Sequence, residues 1–377
     1  IQCWNVTMSV IVRMRHERNF SQISGIFLRK FGNCSVYLII KELNLNTNNL
    51  KTKIKLTSEI FRNLEYNLAN IIISKALSNE NLNKNNQELG RLIYHYSSLQ
   101  SFLSIIQSQT LFCTNLNYLN DKKEYKFGVE QVLEVVDKLI KENFACNILN
   151  NFDNEIEEFY KSERYVTCFS RNGDLLSQWR AYANQGKGVA IGFDLLNFEN
   201  SIHQHLKGSV VEYNEDVQKK SIEEVIKTII EYYEYHRENI DWSDFGYEKL
   251  VRYSIIDFLH RIVSTYKSKG FSEEQEFRFE YFIDGNINKK DSNEINFRST
   301  ETMIIPYIIL ETEYNNYKKR FQNEDLETEP TFLNKKLPIK EIIIGPSLDF
   351  DLTKSSIEEI LLQHDYKNCR GSISLTV

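Results

Sequence analysis

The sequence predicts a mixed α+β fold with strands clustered around interposed helices. Two observations predict it. Short apolar, aromatic-rich runs bounded by Gly, Pro, Asn or Ser recur along the chain. Between them lie longer stretches whose apolar residues recur at three- and four-residue spacing. No internal repeat organises these runs. A length of 377 residues at 41% hydrophobic content suffices for one large domain or two ordinary ones.

Residues 1–88 read as a separate N-terminal region. GNCSVYLIIKEL has strand character from Ser35 to Ile40, and Ser58 to Leu77 has helical spacing through Ile60, Leu64, Leu68, Ile71 and Ile72. The polar, Asn-rich SNENLNKNNQELG (78–90) marks the boundary to a main region over 89–377.

The main region opens with LIYHY as a strand. A helix follows with Leu99, Phe102, Leu103 and Ile106 on one face and Ser97 or Ser98 as N-cap. TLFCTN is the next strand, and 117–127 a polar loop carrying aromatics. Helices are expected over 129–149 and 155–161. YVTCFS (165–170) is a strand, RNGD its turn and LLSQWRAYA a short helix. GKGVAIGFD (186–194) is a glycine-flanked strand. Without GxGxxG or GKS/T its glycines read as a hairpin turn rather than a phosphate cradle. SVVEYN (209–214) is a strand, and 216–268 is helical in pattern. EQEFRFEYFI (274–283) alternates as a strand. TMIIPYIIL reads as a buried strand that Pro306 confines to an edge or bulge. IKEIIIGP, SSIEEILLQH and RGSISLTV read as strand, helix and strand.

Net charge is −6 and the pI about 5.8, against a broad basic surface for duplex nucleic acid. The six cysteines form no CxxC and none stands near a histidine at zinc spacing, so they read as free thiols in a reducing cytoplasm and no metal site is expected. His203 and His205 lack a third ligand nearby. No run of about 18 apolar residues occurs. The first residues lack a signal-peptide layout, because their basic residues follow the apolar stretch.

Three segments offer proton-handling or aromatic side chains. On a strand, His95 faces opposite to Tyr94 and Tyr96, into a cleft if they face a core, or the reverse. Trp179 and Tyr182, three apart on a helix, offer a stacking surface or ordinary packing. Ser170 suits a ribose hydroxyl or a turn cap. Glu274, Glu276 and Arg278 share one face of a strand. That face is either solvated, or part of a cleft in which a carboxylate offsets positive charge on a sugar and Arg278 orients the pair or binds a phosphate.

The ordered series YHYSSLQSFLSII, LFCTNLNYLND, CFSRNGDLLSQWRAYA, GKGVAIGFD, EQEFRF and IKEIIIGP resembles the DUF2971 family of bacterial proteins over roughly residues 91–377. That layout is in turn similar to ADP-ribosyltransferase domains. The resemblance implies a mainly antiparallel sheet core with a helical insertion at about 216–268 that would serve as a lid over the cleft. It implies NAD as substrate and His95, Tyr182 and Glu276 as the catalytic set. Tyr96, Ser170, Trp179, Glu274 and Arg278 would line the NAD site. In this reading His95 holds a ribose hydroxyl, Tyr182 stacks on nicotinamide, and Glu276 bonds the 2′-hydroxyl. The implied role is a toxin or anti-phage effector modifying protein or nucleic acid, with a regulatory partner or antitoxin. A non-catalytic ligand-sensing module on the same fold is the alternative. A nuclease or hydrolase is a third reading, without an acidic metal cluster or nucleophile elbow to support it.

Overall fold

The structure, a computed structural model, describes residues 54–55, 58–78, 92–119, 124–150, 152, 164–202, 206–243, 246–282, 295–320, 335–366 and 373–375. The strand expected at Ser35–Ile40, the helix expected at 155–161, and His203 with His205 lie outside them.

The chain divides into two compact units, 1–75 with 231–247, and 76–230 with 248–377. In the smaller unit, β1 (Ile54–Lys55) pairs in parallel with β7 (Ile240–Asp241). Helix α1 (Ser58–Ser78) matches the periodic stretch, and it buries Leu64 and Leu68. Tyr233 donates a hydrogen bond to Glu65, and Tyr233, Trp242 and Tyr247 make successive edge-to-face ring contacts.

The larger unit is built on a 10-stranded sheet in the order β12-β11-β5-β2-β4-β3-β10-β9, with β8 on β4 and β6 on β8. Its strands are β2 (Leu92–Ser98), β3 (Thr110–Asn115), β4 (Arg164–Ser170), β5 (Gly188–Asp194), β6 (Lys207–Val210), β8 (Glu276–Phe282), β9 (Ile295–Ser299), β10 (Ile304–Glu311), β11 (Ile339–Ile344) and β12 (Ile373–Leu375). Among the described strand pairs of this sheet only β11 with β12 is parallel, so the sheet is mainly antiparallel.

Strand β4 is where the sheet forks. One of its edges pairs with β8 over the whole strand. The other meets β2 only at Ser170 and β3 only at Tyr165 and Val166. On one face an apolar core joins Ile93, Phe169, Ile191, Phe193, Phe277 and Phe279. Phe102, Ile105 and Ile106 of α2 (Leu99–Ser108), Phe198 of α6 (Leu195–Ser201) and Leu361 of α10 (Phe350–Gln363) pack into it. Ser98 caps α2, its hydroxyl accepting from the Ser101 N–H at 3.1 Å. The buried stripe of α2 differs from the expected one. Ile105 is inside, whereas Leu99 and Leu103 are exposed.

Other departures are local. Helix α3 (Glu124–Lys141) starts earlier than expected and stops where Asn143 and Ala145 turn left-handed, before the short α4 (Cys146–Leu149). The glycines of GKG do not make a β-hairpin. They follow α5 (Leu176–Tyr182) and let the chain pass close to its neighbours, since a Cβ at Gly188 would lie 2.2 Å from the Ser97 carbonyl oxygen. Strand β6 lies earlier than SVVEYN, leaving Glu212 in an isolated bridge to Tyr266. The stretch expected to be helical holds α7 (Glu215–His236) and α8 (Tyr247–Val263), with β7 between them. Strand β10 runs unbroken through Pro306, which pairs only with β9, where no N–H is needed from it by β3. Helix α9 (Glu313–Arg320) follows β10.

Candidate functional site

The β4–β8 register decides which side chains meet. Ser170 stands opposite Glu276, Cys168 opposite Arg278 and Val166 opposite Glu280, while Phe169 stands opposite Phe277. Side chains alternate faces along a strand, so the first three pairs share one face and the phenylalanines take the other. Tyr94 pairs with Ser170, which puts Tyr94 and Tyr96 on the polar face and His95 on the aromatic one.

His95 therefore lies across the sheet from Glu276. Its ring is 5.6 Å from that of Phe169, and Nδ1 is 3.2 Å from the Cys168 carbonyl oxygen. A carbonyl only accepts, so Nδ1 carries the proton. Burial lowers the pKa of the imidazole, the Cys168 carbonyl partly opposing. The bond falls where β2 and β4 diverge and satisfies a carbonyl at the fork.

The polar face holds a group of buried charges. Arg278, 1% exposed, donates to Glu276 through Nε (2.7 Å to Oε1) and Nη2 (2.9 Å to Oε2). Its Nη1 donates to the Ser264 carbonyl at 2.7 Å. Lys267 Nζ lies 2.6 Å from Glu274 Oε2 and 3.2 Å from Glu276 Oε2. The Tyr213 hydroxyl accepts from the Glu276 N–H at 2.9 Å. Burial alone would raise the Glu276 pKa, but Arg278 and then Lys267 and the Cys168 thiol outweigh it and bring it down to about 2. The Cys168 thiol is pushed up by burial and by the Glu276 charge.

Glu274 and Glu276 are not neighbours on one strand face, as the alternation suggests. A 3-10 turn, Lys269–Glu274, ends at Glu274, and Gln275 is left-handed (φ 46°) before β8 begins. The two carboxylates still meet, because Lys267 reaches both. The Ser170 hydroxyl donates to the Glu274 carbonyl at 2.8 Å and accepts from the Asn172 N–H at 3.1 Å, which ties the end of β4 to that turn.

Helix α5 covers part of this face. Tyr96 accepts from the Leu175 N–H and donates to the Asn172 carbonyl, both at 2.9 Å. Trp179 packs edge-on against Tyr96 at 4.8 Å and donates through Nε1 to Asp174. At 2% exposure Trp179 is part of the packing among Tyr96, Ala183, Ala190 and Ile343, with no open ring face for a ligand. Tyr182, 40% exposed, is the aromatic of this helix that faces outward. Helix α5 packs against the 3-10 turn Lys269–Glu274, and partial burial, with the Glu274 charge adding and Lys267 opposing, pushes the Tyr182 phenol pKa up.

The structure thus brings Tyr182, Ser170, Glu274, Glu276 and Arg278 to one face. It packs Trp179 of α5 against Tyr96 and sets His95 on the other face. Lys267 and Tyr213 were not singled out in the sequence. Both join the group through tertiary folding, and nothing in the spacing of YKSKG or VEYNE signals it. No group of metal-binding side chains occurs among the described residues. No helix among them is long and apolar enough to cross a membrane.

Residues 178–279 match the DUF2971 family model, described as a protein of unknown function. This match supports the family assignment. The DUF2971 stretch runs from Gln178 in α5 to Phe279 in β8, so it includes Tyr182, Lys267, Glu274, Glu276 and Arg278. It also spans α7 and α8. His95, Tyr96 and Ser170 precede it. No curated protein and no solved structure matches the chain.

Proposed function

We propose that this protein is an ADP-ribosyltransferase-like enzyme that consumes NAD, working from the polar face of β4 and β8. The observation that carries the reading is the convergence of three separate segments on one face, α5 with Tyr182, the end of β4 with Ser170, and the turn into β8 with Glu274 and Glu276 bridged by Lys267. In the reaction the bond between nicotinamide and C1′ of its ribose breaks and nicotinamide leaves with the electron pair. An acceptor nucleophile then bonds to C1′ and loses its proton. Positive charge develops on the sugar as in glycoside cleavage, and a carboxylate offsets it. One well-placed group of this kind is typically worth about 3–4 kcal/mol. Tyr182 suits the planar nicotinamide ring, being the outward aromatic beside the carboxylates. Tyr96 acts by holding the 172–175 turn, and His95 by holding the fork of the sheet. The proposed role as a toxin or defence effector, with a protein or nucleic-acid acceptor and a restraining partner, follows from the family resemblance alone.

One observation favours a second reading, a ligand-sensing module without turnover. Both Glu276 oxygens are taken by Arg278 and Lys267, so the charge meant for the sugar is already balanced. Incubation with nicotinamide-labelled NAD separates the two. The transferase reading expects release by the wild-type chain and at least a ~100-fold loss in Glu276→Gln. Binding of NAD with no release by the wild type points to the module. Equal release by both proteins removes Glu276 from the mechanism.

A further inference from the structure

Glu274 and Glu276 leave the backbone from different elements, a 3-10 turn and a strand, with the left-handed Gln275 between them. Nothing in that backbone makes two carboxylates converge, and like charges at close range repel. Their meeting point is one ammonium, which lies 2.6 Å from Glu274 and 3.2 Å from Glu276. Lys267 is itself 4% exposed, and its Nζ also sits 4.9 Å over the Phe271 ring.

Its backbone is mounted from the helical stretch. The Lys267 N–H donates to the Glu212 carbonyl at 3.2 Å, and its carbonyl accepts from Gln218 Nε2 at 3.1 Å. Gln218, on α7 and fully buried, also donates to the Glu212 carbonyl and accepts from Gln131 of α3 at 2.7 Å. A surface lysine pairing with a glutamate has no such mount, and contributes little. Here the cation is placed by α3, α7 and the turn after α8 before it meets either carboxylate. Arg278 already engages both Glu276 oxygens, and the shorter bond of Lys267 goes to Glu274.

We infer that Lys267 is a positioning residue of this site, fastening Glu274 beside the Arg278-held Glu276 and making the helical stretch part of the site's machinery rather than only its cover. The charged and titratable groups facing the pair are Arg278 from β8, Cys168 from β4, Tyr182 from α5, Tyr213 after β6 and Lys267 itself. Remove Lys267 and Glu274 loses the ammonium 2.6 Å from it while the Glu276 charge stays. The bearing on NAD rests on the transferase reading, whereas the tie among these side chains does not.

The test uses the full chain with 13C-carboxyl-labelled glutamate, the Glu274 signal being assigned by its loss in Glu274→Gln. Lys267→Met is expected to raise the midpoint of the Glu274 titration by about one pH unit or more, and Lys267→Arg to return most of that shift. A midpoint unmoved in Lys267→Met overturns the inference. If Lys267→Met does not fold, the wild type alone decides. Its Lys267 ammonium signal is expected to respond over the pH range in which Glu274 titrates, and an indifferent ammonium overturns the inference. Nicotinamide release is then read on the folded proteins. A moving midpoint with no release by wild type removes the transferase reading and leaves the role of Lys267 standing. Release with the same pH profile, kcat and KM in wild type and Lys267→Met removes Lys267 and leaves the transferase reading.

Discussion

The two faces of the sheet at β4 are built from the same two strands on opposite chemistry. On one face Phe169, Phe277 and Phe279 pack with Phe193 and Phe198, ring against ring. On the other, one residue along β8 from the phenylalanines, Glu276, Arg278 and Glu280 are as buried as they are. Burial of apolar rings needs no explanation beyond the hydrophobic effect. Burial of two carboxylates and a guanidinium costs several kcal/mol per ion before any bond offsets it. The aromatic face is what stability selects. The charged face must offset that cost through its ion pairs and hydrogen bonds, and such a face is where a function is most sensibly sought.

The largest expected effects test that contrast directly. Phe169→Ala should cost about 3–5 kcal/mol through the lost contacts and the cavity. Arg278→Met should cost a similar ~3–5 kcal/mol, but for another reason, since it strands Glu276 as a buried charge with only Lys267 and the Cys168 thiol. The two faces separate in a double change. Glu276→Leu with Arg278→Met should recover most of the loss, whereas a second truncation on the aromatic face should add to the first. Urea unfolding of the four proteins measures this. A double variant as unstable as Arg278→Met would mean that the charged face contributes to stability after all.

The aromatic face was largely legible in the sequence, and the charged one only in part. Alternation in YVTCFS and EFRFEYF places the phenylalanines on one side of each strand without knowledge of the partner, because the period of a strand is local. The same parity set His95 against Tyr94 and Tyr96, but it does not say which side is the core. That was decided by β5, whose Ile191 stands opposite His95 and Ala190 opposite Tyr96. The family series brought His95 forward as a site residue, and the register placed it with the core. Glu274 was misplaced for a backbone reason, the left-handed Gln275, which breaks the alternation one residue before β8. Lys267 was invisible because its meeting with the carboxylates depends on Gln218 and Glu212, contacts that no local pattern encodes.

Acid should find the charged face next. Glu276 falls from an ordinary 4.5 to about 2 in the folded chain, so the folded state binds fewer protons there than the unfolded one. Its contribution is complete above about pH 4.5 and is lost as pH falls towards 2, about 3 kcal/mol in all. His260 on α8 is lowered from 6.5 to about 3 by burial and then by Arg164, so its contribution is lost earlier, between about pH 6.5 and 3. Urea midpoints taken from pH 7 to 3 should decline in wild type. The decline should become shallower below about pH 4.5 in Glu276→Gln, where His260 still contributes, and flatten above it in His260→Asn. Parallel curves for all three proteins would detach acid sensitivity from this face.

Smaller effects sharpen the assignment of single residues. His95→Phe keeps a ring against Phe169 but leaves the Cys168 carbonyl without its donor, a cost of about 1–3 kcal/mol. Tyr182→Phe lies at the exposed rim and should change stability by no more than about 0.5 kcal/mol. The pair works as a cross-check on the two faces. If the polar face is the working one, Tyr182→Phe or Tyr182→Ala should alter nicotinamide release or NAD binding at nearly unchanged stability. His95→Phe should do the reverse, lowering stability while leaving the per-molecule release of the folded protein alone. A His95→Phe chain of wild-type stability that no longer releases nicotinamide would return His95 to the site and put the active surface on the aromatic side, against the register of β2.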